Sequence, residues 1–81
     1  MIPPANPKRF ERLTALSPLA AVHAWLDGDF GIGDEPALIS AIRKDSRITL
    51  SDDDLSNALW EAQMAGRRSA SRCLKQLAAP R

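Results

Sequence analysis

Apolar residues recur at helical spacing in five separate stretches of the chain, and no stretch alternates as a half-buried strand would. Phe10, Leu13 and Leu16 share one face of a short helix beginning at about Lys8. Leu19, Val22 and Leu26 line a second helix that ends before Gly28. It opens on Ser17-Pro18, a capping serine with proline at the first helical position. Leu38, Ile39 and Ile42 point inward on a third, started by Asp34 or Glu35 ahead of Pro36. Leu55, Ala58, Leu59 and Ala62 form the buried face of a fourth. Its start carries the most signals: Ser51 as cap, Asp54 in the capping-box position, and Leu50 and Leu55 placed to close a hydrophobic staple. A break at Ala65-Gly66 leads to the fifth, from about Arg67 to Ala78, striped by Ala70, Cys73, Leu74, Leu77 and Ala78. The pattern predicts an all-α fold, a small single-domain bundle of four to five short helices over residues 8–81. Residues 1–7, which hold three prolines, are expected to form a flexible N-terminal segment.

Trp60 and Met64 stand four residues apart and off the buried face of the fourth helix. They either widen the core stripe or form a protein interface. The core is the favoured place, because large apolar patches on monomers are uncommon. Trp25 is assigned to core or rim. His23 has no cysteine or second histidine nearby and is read as a packed or surface residue.

Composition narrows the classes. Eighty-one residues make one domain, and two Phe, two Trp and no Tyr leave a core built mainly of Ala, Leu and Ile. One cysteine excludes an internal disulfide and fits a reducing compartment, hence a cytoplasmic expectation. Cys73 lies on an apolar stripe and is read as a small buried hydrophobe. No run approaches transmembrane length, so no membrane partner is expected.

Catalytic constellations are absent from the sequence. The acids Asp52, Asp53 and Asp54 favour the positive end of a helix dipole and are read as helix initiators, not metal ligands. The glycines at 28, 31 and 33 do not match a dinucleotide fingerprint. A calcium loop starting at Asp27 would put Ile32 at its glycine position and Leu38 at its closing glutamate. The expectation is therefore a non-enzymatic protein with no metal and no cofactor.

Net charge is only +1, but the distribution is uneven: from Ala62 to Arg81 there are five bases and no acid. On a helix running from Arg67, the bases Arg68, Arg72 and Lys75 fall at i, i+4 and i+7 as a stripe suited to phosphates. Arg67, Arg43, Lys44 and Arg47 would extend that footprint.

Several short segments resemble the FinO/ProQ family of RNA chaperones. They are Phe30-Gly31-Ile32 entering a helix with Ala37-Leu38-Ile39, then Leu50-Ser51, Leu55 and Ala58-Leu59, then Arg72-Cys73-Leu74-Lys75 with the basic end beyond. Ser56 and Trp60 stand where that family usually has arginine, and Cys73 where it has tyrosine. The resemblance, over residues 30–81, implies binding of structured RNA through basic residues and a helix N-terminus. Two other classes stay open. One is a helical interaction module, adaptor or inhibitor, with Trp60 and Met64 as anchors for a protein partner or a homodimer. The other is a helix-turn-helix DNA-binding regulator presenting Arg68, Ser69, Arg72 and Lys75 to the major groove.

Overall fold

Serine caps fix where three of the helices begin. In the computed structural model, which describes residues 7–79, the Oγ atoms of Ser17, Ser51 and Ser69 each accept a hydrogen bond from the backbone N–H three residues on. Each cap satisfies one of the donors that a helix start leaves unpaired. Five α-helices follow in order: α1 (Pro7–Thr14), α2 (Pro18–Leu26), α3 (Glu35–Ile42), α4 (Asp52–Met64) and α5 (Ala70–Ala78). A single 3-10 turn, Ile32–Asp34, leads into α3, and there is no strand among the described residues. The protein is a small all-α bundle, as its apolar periodicity predicts.

Glycine ends two of the helices in the same way. Gly28 and Gly66 adopt φ of 82° and 71°, the left-handed conformation that other residues rarely take. After α2, Gly28 N–H donates to the Trp25 carbonyl and Asp29 N–H to that of Ala24. After α4, Gly66 N–H donates to Gln63 and Arg67 N–H to Ala62. Both are Schellman turns, which satisfy the last carbonyls and send the chain off sharply.

The helices α2 and α3 pack side by side at the centre, with α1 laid on α3 and α5 on α2. Helix α4 crosses them, touching α2, α3 and α5. Leu38, Ile42, Leu55, Leu59 and Val22 are the largest side chains sealed in the common core, which Phe30, Ile48 and Leu50 extend from the connecting segments. Leu50 and Leu55 both enter this core on either side of the Ser51 cap. Trp25 is the largest buried polar-bearing group, only 2% exposed. Its indole N–H donates to the Leu59 carbonyl at 2.8 Å, and Gln63 Nε2 returns a bond to the Trp25 carbonyl at 2.9 Å. Helices α2 and α4 are thus bridged twice. Around the same ring, Phe30 lies tilted at 6.3 Å and Trp60 packs edge to face at 4.8 Å.

Two further polar links hold the connecting segments. Asp34 accepts from the Arg9 guanidinium and from the Gly31 N–H, and Arg9 also reaches the Asp29 carbonyl. This fastens α1 to the glycine loop. Ser56 of α4 donates to Glu35 at the start of α3.

Several expectations need correction. Residues 1–6 lie outside the described residues, but Pro7 already belongs to α1, since a first-turn proline has no N–H to lose. Phe10 and Leu19 are 42% and 47% exposed, not inward. In α2 the small residue Ala21 takes the buried place beside Val22 and Trp25, letting α2 approach its neighbours closely. Trp60 and Met64 are not core: Trp60 is 42% exposed and Met64 84%. The face of α4 that Leu55, Leu59 and Ala62 bury leaves them turned toward solvent.

Two predictions follow from this packing. Trp25→Ala should cost about 3–5 kcal/mol, a large part of the roughly 4–12 kcal/mol expected for a domain of this size. Trp60→Ala should cost clearly less and leave the chain folded; urea melts of the two variants rank them. The second concerns acid. Hydrogen bonds from Arg9, then from the Gly31 N–H, hold the Asp34 carboxyl below its usual range. The unfolded chain therefore binds more protons as pH falls, so this contribution is complete above the ordinary carboxylate range and is lost below about pH 4. Asp45, lowered by Arg47, adds in the same direction. Asp34→Asn should lower Tm at neutral pH and flatten its fall in acid, read from melting curves at a series of pH values.

Candidate nucleic-acid interface

The seven basic residues singled out by the sequence separate into two groups. Arg43, Lys44 and Arg47 are engaged within the protein. Arg43 bonds Asp52 at 2.7 Å, Lys44 donates to the Leu16 carbonyl at 2.8 Å, and Arg47 grips both oxygens of Asp45 at 3.0 and 2.7 Å. That grip lowers the Asp45 pKa and raises that of Arg47, the side-chain hydrogen bond being the main cause for each. These residues act chiefly as ties between neighbouring segments, so the extended footprint is not assembled as a set of unoccupied cations.

Arg67, Arg68, Arg72 and Lys75 are exposed, and none makes an ion pair among the described residues. The first three converge. Together with Ser69 and Cys73 they line a surface hollow of about 130 Å³ at the N-terminal end of α5. The local sequence explains the convergence. Gly66 turns the chain out of α4, Arg67 and Arg68 occupy the link between the helices, and Ser69 caps α5 through the Arg72 N–H at 3.3 Å. The first turn of α5 holds no acid, so nothing negative from its own sequence answers the positive end of the helix dipole.

This geometry corrects the expected basic stripe. Helix α5 begins at Ala70, not near Arg67, so Arg68 is not on the helix and does not stand in an i, i+4, i+7 row with Arg72 and Lys75. Serine prefers the cap to a helix interior, and Arg67 is taken up by the Schellman turn that closes α4. Lys75 sits in the last turn of α5, at the opposite end from the hollow. The helix-turn-helix arrangement likewise loses Arg68 and Ser69 from its recognition helix. Ser69, expected on the recognition helix, is instead the cap that organises the site.

Two further features lie beside the hollow. Cys73 is only 4% exposed and forms part of its floor; burial raises the thiol pKa, with Arg67 pulling the other way. Arg67 and Arg68 also border a second depression of about 340 Å³, which Gln63, Gly66, Leu26 and Asp27 complete where the ends of α2 and α4 meet. Its acid, Asp27, lies 3.3 Å from His23 Nε2.

Among the described residues no group of three or more His, Cys, Asp or Glu side chains is placed to hold a metal ion. None of the described helices is long and apolar enough to cross a membrane. Comparison with known proteins finds no matching family model, no similar curated protein and no matching solved structure.

The turn that presents the arginines is testable by itself. Gly66→Ala meets no atom within 4 Å, so its cost is conformational only. It should destabilise the domain by about 1–2 kcal/mol, the penalty for a left-handed alanine. Ser69→Ala should cost about 0.5–2 kcal/mol through loss of the cap. Urea melts of both variants, with far-ultraviolet circular dichroism, check each figure.

Proposed function

We propose that the protein binds nucleic acid, RNA ahead of DNA, through Arg67, Arg68 and Arg72 at the start of α5, with Lys75 as an outlying contact. The observation that carries this reading is the gathering of three arginines, without acidic partners among the described residues, around a hollow at a helix N-terminus. Guanidinium groups match phosphate oxygens two at a time, and a helix start adds backbone donors and a favourable dipole. A net charge of +1 does not oppose it, because Arg67, Arg68 and Arg72 lie together without ion pairs among the described residues. The resemblance to FinO/ProQ RNA chaperones supports the same choice, since it implies structured RNA held by basic residues and a helix N-terminus. In this reading the protein acts without catalysis or cofactor, in the cytoplasm.

A protein-interaction role has one observation in its favour, the exposure of Trp60 and Met64 on α4. Tryptophan is enriched at binding hot spots. The DNA-regulator reading has less support, because α5 itself carries only Arg72 and Lys75 as bases.

Titration of labelled hairpin RNA and duplex DNA at two salt concentrations tests the proposal. Three phosphate contacts on a single-stranded segment should give a log–log salt slope of about −2. The triple variant Arg67→Ala, Arg68→Ala, Arg72→Ala should lose most of that slope and keep its helix content, alanine being a strong helix former. The triple variant Arg43→Ala, Lys44→Ala, Arg47→Ala should keep the slope while melting at lower temperature. If the wild type binds neither probe, the nucleic-acid reading is wrong and Trp60 with Met64 becomes the surface to pursue.

A further inference from the structure

Trp60 stands on the solvent side of α4, 42% exposed. Its ring rests against Trp25 at a centroid distance of 4.8 Å with the planes at 81°. In an edge-to-face pair at most one face of either ring is covered by the other, and 42% of Trp60 remains exposed. Trp25 is itself immobilised, buried and bonded to the Leu59 carbonyl, so it holds the Trp60 ring on a rigid support.

The surroundings say what size of partner fits. The helix-surface neighbours of Trp60, three and four residues away, are Ser56, Asn57, Gln63 and Met64, of which only Met64 is apolar. On α4 the apolar patch is thus one ring wide with a flexible thioether beside it. That is narrow for the face of a docking helix and suits a single flat ring. Gln63 connects the patch to the basic end: it bonds the Trp25 carbonyl and also lines the depression that Arg67 and Arg68 border. At a rise of about 1.5 Å per residue, Trp60 stands about 6 Å before the end of α4. Beyond that end come Arg67 and Arg68. An exposed aromatic ring with cations just beyond the end of its helix matches the way proteins hold unpaired nucleotides, base on ring and phosphate on guanidinium.

We propose that Trp60 is a stacking platform for an unpaired base of the bound RNA, with Met64 as its side wall and Arg67 and Arg68 meeting the adjoining phosphates. This rests on the nucleic-acid reading above. It makes Trp60 the residue that favours unpaired over fully paired strands, because a base inside a duplex has both faces occupied.

The test compares two polyanions, one with bases and one without: a short oligoadenylate and inorganic polyphosphate. Wild type, Trp60→Ala and Trp60→Phe are titrated with each after melting curves establish that the variants are folded. Trp60→Ala should bind oligoadenylate roughly 5- to 150-fold more weakly, the range for losing one stacked base, and bind polyphosphate as the wild type does. Trp60→Phe should retain most of the oligoadenylate affinity. Oligoadenylate should also quench wild-type tryptophan emission, and the quench should disappear in Trp60→Phe, where only the buried Trp25 emits. Equal binding of oligoadenylate by wild type and Trp60→Ala overturns stacking and leaves the arginine site standing. Equal losses for both polyanions overturn it as well, the effect then being on the fold or the charge. A wild type that binds neither polyanion removes the nucleic-acid reading itself. If Trp60→Ala fails to fold, the quenching comparison with Trp60→Phe decides: emission unchanged by saturating oligoadenylate overturns the proposal.

Discussion

The bridge between α2 and α4 at Trp25 is the constraint on which the rest depends. A buried indole N–H must find an acceptor, and here it finds the Leu59 carbonyl in the middle of α4. Gln63, one turn further on, bonds back to the Trp25 carbonyl. These two contacts fix the register of α4 along α2, and so bring together the helix ends at Gly28 and Gly66. The arginines that follow Gly66 are placed by that register, not by contacts of their own. The exposed ring of Trp60 inherits its position from the same pair, since it leans on Trp25.

Charge follows a similar economy. Where a base has a structural use it is answered locally: Arg9 by Asp34, Arg43 by Asp52, Arg47 by Asp45. These pairs are exposed or half-exposed, so each is worth little in stability and more in fixing where a loop runs. The bases after Met64 have no such partners among the described residues. Arg67, Arg68 and Arg72 therefore differ from the other candidates by what surrounds them.

Much of the fold was legible because its signals are local. Ser17-Pro18 and Ser51 with Asp54 mark helix starts through bonds that span three residues, and Gly28 and Gly66 mark ends through their own backbone preference. The five apolar stripes gave the class of fold for the same reason. What failed depended on contacts distant in sequence or on competition between two local signals. Whether Trp60 faces core or solvent is decided by where α2 crosses α4, which periodicity along α4 alone does not specify. The start of α5 was set by Ser69 outcompeting Arg67 as the first residue, so a helical stripe through Arg68 became a cluster around a cap. Periodicity likewise placed Leu19 inward, whereas the close approach of α2 at Ala21 turned it out. The pairing of Arg43, Lys44 and Arg47 could not be read from a run of bases, since two of their partners lie on other segments.

Helix α1 is attached differently from the others. It packs chiefly on α3, its Phe10 remains outside, and Arg9 ties it to Asp34 in the glycine loop. The remaining four helices share the sealed core without it, apart from the half-buried Leu13. Its amides should therefore exchange with solvent through a local detachment, at a smaller free energy than the global opening that frees Trp25 and Leu59. The domain then has two tiers of cooperativity: an inner four-helix unit that unfolds as one, and an outer helix that leaves and returns while that unit stays folded.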